Sequence, residues 1–261
     1  MMKKILSACP DLKESLLLLL LFVAGQAAAS LLYALPMYLT YLIAYIPPLV
    51  YLYIMGARRG DGGAAAVRPS GLRPGRQAAA VAVAVPVELA VIVLAGAATS
   101  WIETPQWYTE LFRSMMQTGL LSTAVTVCVL APVMEEFLFR RIVLCSLARK
   151  MSGWKALLLS SLMFAAAHFN LWQALPAFIL GCLLGWICLR TGNWWASVLL
   201  HALNNSLTIA VSVFFGPDVA LTPLSQVMTP GLYYLLVILS AVVAAAGIWL
   251  IYRITRTTIQ S

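Results

Sequence analysis

Long apolar stretches alternate along the chain with short polar connections, and this pattern predicts membrane-spanning helices. A helix needs about 20 apolar residues to cross the hydrocarbon core of a bilayer. The pattern predicts an all-α, polytopic integral membrane protein, a single transmembrane domain over 1–261 with no internal repeat and no soluble domain. The eight predicted spans lie at about 15–34, 36–56, 77–100, 120–146, 154–173, 175–190, 193–215 and 230–252.

The first span begins with features of a cleavable signal peptide, but we expect the chain to retain it. Lys3, Lys4 and the leucine run at 16–21 resemble such a signal. A charged, proline-containing stretch at 9–14 separates the lysines from the leucines, and the apolar stretch continues beyond the length of a signal core.

Lysine and arginine placement predicts the orientation, because cytoplasmic loops carry an excess of both residues. With the amino terminus inside, both termini are cytoplasmic and only Arg113 falls outside. It lies in the polar, aromatic segment 101–119, which predicts a short amphipathic helix along the membrane interface. The residues predicted to lie inside are Lys3, Lys4, Lys13, Arg58, Arg59, Arg68, Arg73, Arg76, Arg140, Arg141, Arg149, Lys150, Lys155, Arg190, Arg253 and Arg256.

Composition supports the membrane class and narrows the partners. Hydrophobic residues make up 62% of the chain and charged residues 10%, against about 45–50% and 25% in soluble domains. The net charge of +8 is explained by topology and attraction to anionic lipid, so membrane lipid is an expected partner and nucleic acid is not. Five cysteines without paired spacing argue against a disulfide or zinc-finger framework. The short loops and Arg/Gly-rich inner segment are typical of a protein of the bacterial plasma (inner) membrane.

The fourth predicted span carries two adjacent carboxylates. Glu136 and Arg140 are four residues apart and share a helix face, so an ion pair between them is expected. Glu135 diverges from Glu136 by about 100° around the helix and is free to meet another group. Because adjacent buried carboxylates repel, one of them is suited to act as a general acid or base.

Two histidines lie in later apolar segments, and ionisable groups are costly inside a bilayer. Phe164 and His168 are four apart on the fifth span, and His201 and Asn205 are four apart on the seventh. At a rise of about 1.5 Å per residue, Glu135, His168 and His201 lie roughly 15, 20 and 12 Å from the inner ends of their spans. This similar depth predicts one shared polar site, somewhat nearer the cytoplasm.

Structural interpretations of the same residues stay open. Each histidine alone is suited to a helix–helix hydrogen bond, and the glutamate pair to a solvated helix mouth. Glu88, two residues after Pro86, either lines the same cavity or pairs with a basic residue such as Arg190, and we favour a structural role. Other polar residues suited either to lining the pocket or to joining helices are Asn170, Gln173 and Asn204.

The three motifs Glu135-Glu136-x-x-x-Arg140, Phe164-x-x-x-His168 and His201-x-x-x-Asn205 resemble those of the CPBP family. That family comprises CAAX prenyl endopeptidases of the Ras-converting type and bacterial bacteriocin-processing or immunity (Abi) proteins. The resemblance is strong over about 120–210, the motif-bearing core, and elsewhere rests on topology.

The resemblance implies an intramembrane endopeptidase in which Glu135 and His168 activate a water and His201 and Asn205 stabilise the oxyanion. It also implies supporting roles for Glu136 and Arg140 beside Glu135, and for Phe164 in shaping the pocket. Two histidines and a glutamate also form a plausible zinc set, so Glu135, His168 and His201 are the ligands if a metal binds. We favour water activation without metal, because Asn205 suits an oxyanion donor better than a ligand.

The resulting hypothesis is cleavage of a peptide or protein substrate delivered at the membrane, reached from the cytoplasmic side. A non-catalytic immunity or scaffold protein of the same fold, and a proton-coupled transporter with a Glu/His relay, are the alternatives.

Overall fold

The computed structural model of the protein describes residues 1–32, 34–59 and 72–256, and its regular elements within these ranges are all helical. Arg68 and residue 33 of the first predicted span lie outside them. The helices are α1 (Met2–Ser7), α2 (Leu12–Ser30), α3 (Met37–Ala44), α4 (Ile46–Arg59), α5 (Pro74–Thr99), α6 (Gln106–Thr118), α7 (Leu120–Leu147), α8 (Gly153–Ala166), α9 (Leu171–Thr191), α10 (Trp194–Phe215), α11 (Pro217–Leu221), α12 (Leu224–Val227) and α13 (Pro230–Thr255).

The all-α, polytopic membrane architecture is confirmed. In the described part of the chain, 7 helical segments are long and apolar enough to cross a membrane. One of these, Met37–Arg59, combines α3 and α4; the others are α2, α5, α7, α9, α10 and α13.

The prediction of a continuous fifth span over 154–173 is wrong. Helix α8 has 14 residues and ends at Ala166, and the 21-residue α9 begins at Leu171. Phe169 adopts a left-handed backbone with φ of 56°, and the side chain of Asn170 accepts a hydrogen bond from the Gln173 N–H to cap α9. A local cap therefore breaks an apolar stretch that hydropathy alone treats as one helix.

Helix α7 is widened in two places, because Thr126–Leu130 and Phe137–Leu144 are π-helical. The Ala131 N–H bonds to the Thr126 carbonyl, five residues back, instead of the Val127 carbonyl. Pro132 has no N–H that could take over at Val127. The Val127 carbonyl is therefore left open to a partner from another helix. Such π-bulges occur frequently at functional sites.

Close helix approaches position the elements that carry the site. A Cβ added to Gly25 of α2 would collide with the Ala44 carbonyl oxygen, so the glycine brings α3 against α2. Gly181 and Gly185 form a small-x-x-x-small pair on α9, and a Cβ on Gly181 would lie 3.3 Å from Phe164 of α8. Small residues at such spacing let helix backbones approach in membranes.

Several basic residues predicted to lie inside bond to groups near the ends of neighbouring helices. Lys150 donates to the Cys9 carbonyl, Arg59 forms an ion pair with Glu14, and Arg190 donates to Thr255. Arg113 and Asp218, both in predicted outer segments, form an ion pair at 2.6 Å. These contacts agree with the predicted sidedness, and the orientation itself stays a prediction.

Candidate active site

Glu136 of α7 is the centre of a fully buried polar cluster. Its Oε2 lies 3.0 Å from Nε of Arg140, and both side chains are 0% exposed. Its Oε1 lies 3.0 Å from Nδ1 of His201, which reaches across from α10. The expected Glu136–Arg140 pair therefore forms, and the same carboxylate also holds an imidazole. Arg140 itself, counted above among the inner basic residues, lies in this core and not at an inner turn.

The Arg140 guanidinium is stabilised by charge and by an aromatic face. Among the described residues, none accepts a well-aligned hydrogen bond from its three guanidinium nitrogens, although its ion pair with Glu136 is close. Its central carbon lies 4.7 Å from the centroid of the Phe164 ring. A cation over an aromatic face is attracted by the ring quadrupole, more strongly where water is excluded. Phe164 therefore packs beneath the charge as well as shaping the pocket.

Glu135 diverges from its neighbour, as the helix geometry predicts, and meets two other helices. Its Oε1 accepts a hydrogen bond of 2.8 Å from the hydroxyl of Tyr41 on α3. Its Oε2 lies 3.8 Å from Nε2 of His201. The Glu135 side chain is 15% exposed, whereas that of Glu136 is closed off completely. Glu135 is therefore the carboxylate of the pair that an incoming water can reach.

Phe164 joins both histidines to the cluster. Its ring centroid lies 5.1 Å from that of His168 and 5.7 Å from that of His201, each in an edge-to-face arrangement. His168 lies just beyond the end of α8, so the expectation that it stands on a helix is wrong, although its expected contact with Phe164 forms. The helix end leaves the Phe164 carbonyl available, and this carbonyl lies 3.0 Å from Nδ1 of His168.

These contacts place a hydrogen on Nδ1 of both imidazoles. A carbonyl oxygen can only accept, so Nδ1 of His168 carries a hydrogen, and in the neutral form of the ring Nε2 then holds a lone pair. An ionised Glu136 likewise takes the Nδ1 hydrogen of His201, which directs Nε2 of that ring toward Glu135. Each histidine thus has one nitrogen fixed by the protein and one left for chemistry.

Asn205, one helical turn beyond His201, supplies the hydrogen bond that α7 lacks at the Val127 carbonyl. Its Nδ2 donates a hydrogen bond of 2.8 Å to the Val127 carbonyl, the group that the π-bulge and Pro132 leave without a backbone partner. Its Oδ1 accepts from Asn204 at 3.0 Å. A primary amide has two N–H donors, so one remains for a ligand. Asn204 therefore orients Asn205.

Of the remaining polar residues considered from the sequence, Asn170 and Gln173 have structural contacts, whereas Glu88 has no hydrogen-bond partner in the part of the chain that the structure describes. Asn170 donates to the His168 carbonyl and to Gln173, which donates in turn to Tyr108 of α6. Glu88 is completely buried, and neither of its carboxyl oxygens has a hydrogen-bond partner among the described residues. The suggested pairing of Glu88 with Arg190 is wrong, because Arg190 bonds to α13 through Thr255.

The candidate metal ligands do not converge as a set. Within the ranges that the structure describes, no group of three or more His, Cys, Asp or Glu side chains is arranged to hold a metal ion. Glu135, His168 and His201 therefore do not form a zinc site in this arrangement.

Tyr41 is the member of the site that sequence reasoning missed. It stands among other tyrosines in an apolar span, and no local spacing connects it to a glutamate 94 residues later. The local sequence indicates only that tyrosines recur at helical spacing, at 38, 41 and 45, shortly before Pro47.

Together the fold and the site define an all-α membrane protein in which carboxylate and imidazole side chains from separate helices meet inside the membrane-spanning part. Residues 117–207 match the family model described as Rce1-like, Type II CAAX prenyl endopeptidase Rce1-like. The matched segment contains all three motifs, which confirms the resemblance to the CPBP and CAAX protease family. The match points to CAAX-type intramembrane endopeptidases in general.

An uncharacterized 24.3 kDa protein of Escherichia coli is 34% identical over 98 residues, which cover 36% of this chain and 45% of that protein. The chain thus matches less than half the length of this curated relative. No solved structure matches the chain.

Proposed function

We propose that this protein is an intramembrane endopeptidase that hydrolyses a peptide bond in a membrane-associated peptide or protein, and that it acts in the bacterial plasma membrane. The observation that carries the proposal is the 3.8 Å approach of Glu135 Oε2 and His201 Nε2, within a segment that matches a peptidase family. Membrane lipid and the delivered substrate are its partners.

Water activation falls to Glu135 and His168. An ionised Glu135 takes a proton from a water that the lone pair on Nε2 of His168 orients. The resulting hydroxide oxygen attacks the scissile carbonyl carbon. Because Glu135 lies in a largely water-excluded cluster, its charge is poorly screened and acts strongly on a nearby proton.

Oxyanion stabilisation falls to α10. Attack converts the carbonyl into a tetrahedral intermediate with a negative oxygen, which needs fixed donors at hydrogen-bond distance. A protonated His201 offers Nε2–H, and Asn205 offers the amide N–H that Val127 does not use. With Glu135 and Glu136 ionised and Arg140 positive, a protonated His201 also makes the four-residue cluster neutral. Collapse of the intermediate breaks the C–N bond, and the proton held by Glu135 passes to the leaving amine.

The test is cleavage of a membrane-anchored peptide library by purified protein in liposomes. Glu135→Gln keeps the size of the side chain and removes its basicity, so kcat/KM should fall by about 10²–10⁴-fold, the usual contribution of a general base. Glu110→Gln is the matched control, because Glu110 is an exposed glutamate on α6. Unchanged cleavage by the folded Glu135 variant would remove Glu135 from this role, and a parallel series with chelator tests metal dependence.

A proton-coupled transporter is the second candidate, and the unpartnered Glu88 is the observation that favours it. An isolated buried carboxyl is suited to carrying a proton through a membrane. Proton flux in proteoliposomes that Glu88→Gln abolishes, without peptide cleavage by the wild type, would establish this function instead.

A further inference from the structure

A tyrosine outside the motif-bearing segment contacts the carboxylate proposed to activate water. Tyr41 belongs to α3, whereas the family match begins at residue 117. Its hydroxyl nevertheless donates to Oε1 of Glu135 at 2.8 Å. None of the three motifs includes this contact.

The hydrogen bonds around Tyr41 run in one direction. A phenol has one proton, and that of Tyr41 lies in its bond to Glu135. The hydroxyls of Tyr41 and Tyr45 are 3.2 Å apart, so Tyr45 is the donor in that contact. Tyr45 is 1% exposed, and its ring centroid lies 4.8 Å from that of Phe22. The chain of donors therefore begins at a residue held in the apolar core and ends at the carboxylate.

The backbone fixes where this chain of donors stands. Pro47 and Pro48 follow Tyr45, and α3 ends there because proline cannot continue the helix ladder of the preceding turn. Gly25 holds α3 close to α2 at Ala44, one residue before Tyr45. Tyr41 thus lies on the last full turn of a short helix that is anchored at its end.

We infer that Tyr41 is a positioning residue for Glu135, an inference that rests on the proposed function. By occupying Oε1, the hydroxyl turns Oε2 toward Nε2 of His201 and the position of the attacking water. A hydrogen bond donated to a carboxylate also favours its ionised form, the form that can accept a proton. Tyr41 acts through Glu135 and has no contact with the scissile bond in this role.

The pH dependence of the site involves every charged or titratable group that faces Glu135. From α3 and α10 come Tyr41, Tyr45 and His201. The turn after α8 adds His168, which shares the attacking water with Glu135 in the proposed mechanism. From its own helix come Glu136 and its ion-pair partner Arg140. Of these groups, Tyr41→Phe removes a single oxygen and no formal charge, so it isolates the hydrogen bond.

The experiment compares Tyr41→Phe, Tyr45→Phe and Tyr38→Phe in liposomes, on the peptide that the wild type cleaves best. Tyr38 is the control, an exposed tyrosine one turn away on the same helix. For Tyr41→Phe we expect kcat to fall about tenfold with KM unchanged, as for the loss of one hydrogen bond to a charged group. The acid limb of its pH–rate profile should also move about one unit to higher pH. For Tyr45→Phe we expect a smaller fall in kcat, about threefold, and a shift of the acid limb in the same direction. Tyr45 does not bond to Glu135 itself and only polarises the Tyr41 hydroxyl that does.

Wild-type kcat and an unshifted profile in folded Tyr41→Phe would overturn the inference. If that variant does not fold, Tyr45→Phe decides, and its wild-type behaviour would have the same force. A readout without turnover separates this inference from the proposed function. The infrared carboxylate band of Glu135, identified by subtracting Glu135→Gln, should shift in Tyr41→Phe and not in Tyr38→Phe. If the wild type cleaves no peptide but the band still shifts in Tyr41→Phe, the positioning contact stands and the peptidase is rejected. An unshifted band in Tyr41→Phe would reject the contact.

Discussion

The buried carboxylate of Glu136 contacts both the guanidinium of Arg140 and the imidazole of His201, each at 3.0 Å. Moving charges out of water costs several kcal/mol per ion even after relaxation. The cluster compensates by charge pairing and by the Phe164 ring next to Arg140. At the scale of single residues, the site therefore consists of mutually dependent charges.

Removing Arg140 should unbalance this cluster. Arg140→Met leaves Glu136 buried without its cation, and we expect a loss of about 3–5 kcal/mol in the free energy of unfolding. The double variant Glu136→Gln/Arg140→Met should recover part of that loss, because it removes both members of the buried pair and leaves neither without its partner. Denaturation in mixed micelles measures both. The control is Arg58→Met at an exposed position of α4, and a loss equal to the control's would contradict the dependence.

Local spacing predicts contacts within one helix turn and does not predict contacts between helices. The pairs Glu136–Arg140 and Phe164–His168 follow from i,i+4 spacing, and both form. The Tyr41–Glu135 bond depends on how α3 packs against α7, which no periodicity encodes. The roles assigned to His168, His201 and Asn205 stay predictions.

Individual helices differ from their hydropathy pattern where a backbone group changes partner. In α7, Pro132 and the π-bulge free the Val127 carbonyl, and Asn205 of α10 accordingly bonds there. The junction of α8 and α9 was missed because Phe169 and Asn170 break the helix through backbone conformation and capping. Seven other predicted spans agree with observed helical segments to within a few residues, since long apolar runs determine them directly.

The helix in the predicted interfacial segment, α6, docks on α9 through Tyr108, which yields a prediction for alkaline pH. Burial raises the pKa of Tyr108 to about 12, although the hydrogen bond from Gln173 opposes the rise. The unfolded chain releases this proton near pH 10, so stability should fall as the pH rises from about 10 to about 12.

Tyrosinate formation can be followed by ultraviolet absorbance during an alkaline titration. The difference between wild type and Tyr108→Phe should show Tyr108 ionising near pH 12. The decline in stability over the same pH range should be smaller in Tyr108→Phe. If the difference titration instead shows Tyr108 ionising near the ordinary tyrosine pKa of about 10, the α6–α9 contact does not form in the membrane.

Across the whole molecule, the site draws on α3, α7, α10 and the turn after α8, so no single hairpin contains it. The motif-bearing residues 120–210 include most of it but not Tyr41. The sequence therefore predicted the class of membrane protein, and the proposed site also draws on a helix outside the motif-bearing residues.

The 14-residue length of α8 has a consequence for the host lipid. At about 1.5 Å per residue it measures only roughly 21 Å, against roughly 30 Å of hydrocarbon. Hydrophobic mismatch at this position should thin the adjacent leaflet and admit water beside His168. In liposomes of increasing acyl-chain length, peptide hydrolysis should therefore slow as the bilayer thickens, and a rate independent of thickness would contradict this coupling. Lipid composition would then regulate the proposed peptidase through the depth to which water enters the bilayer.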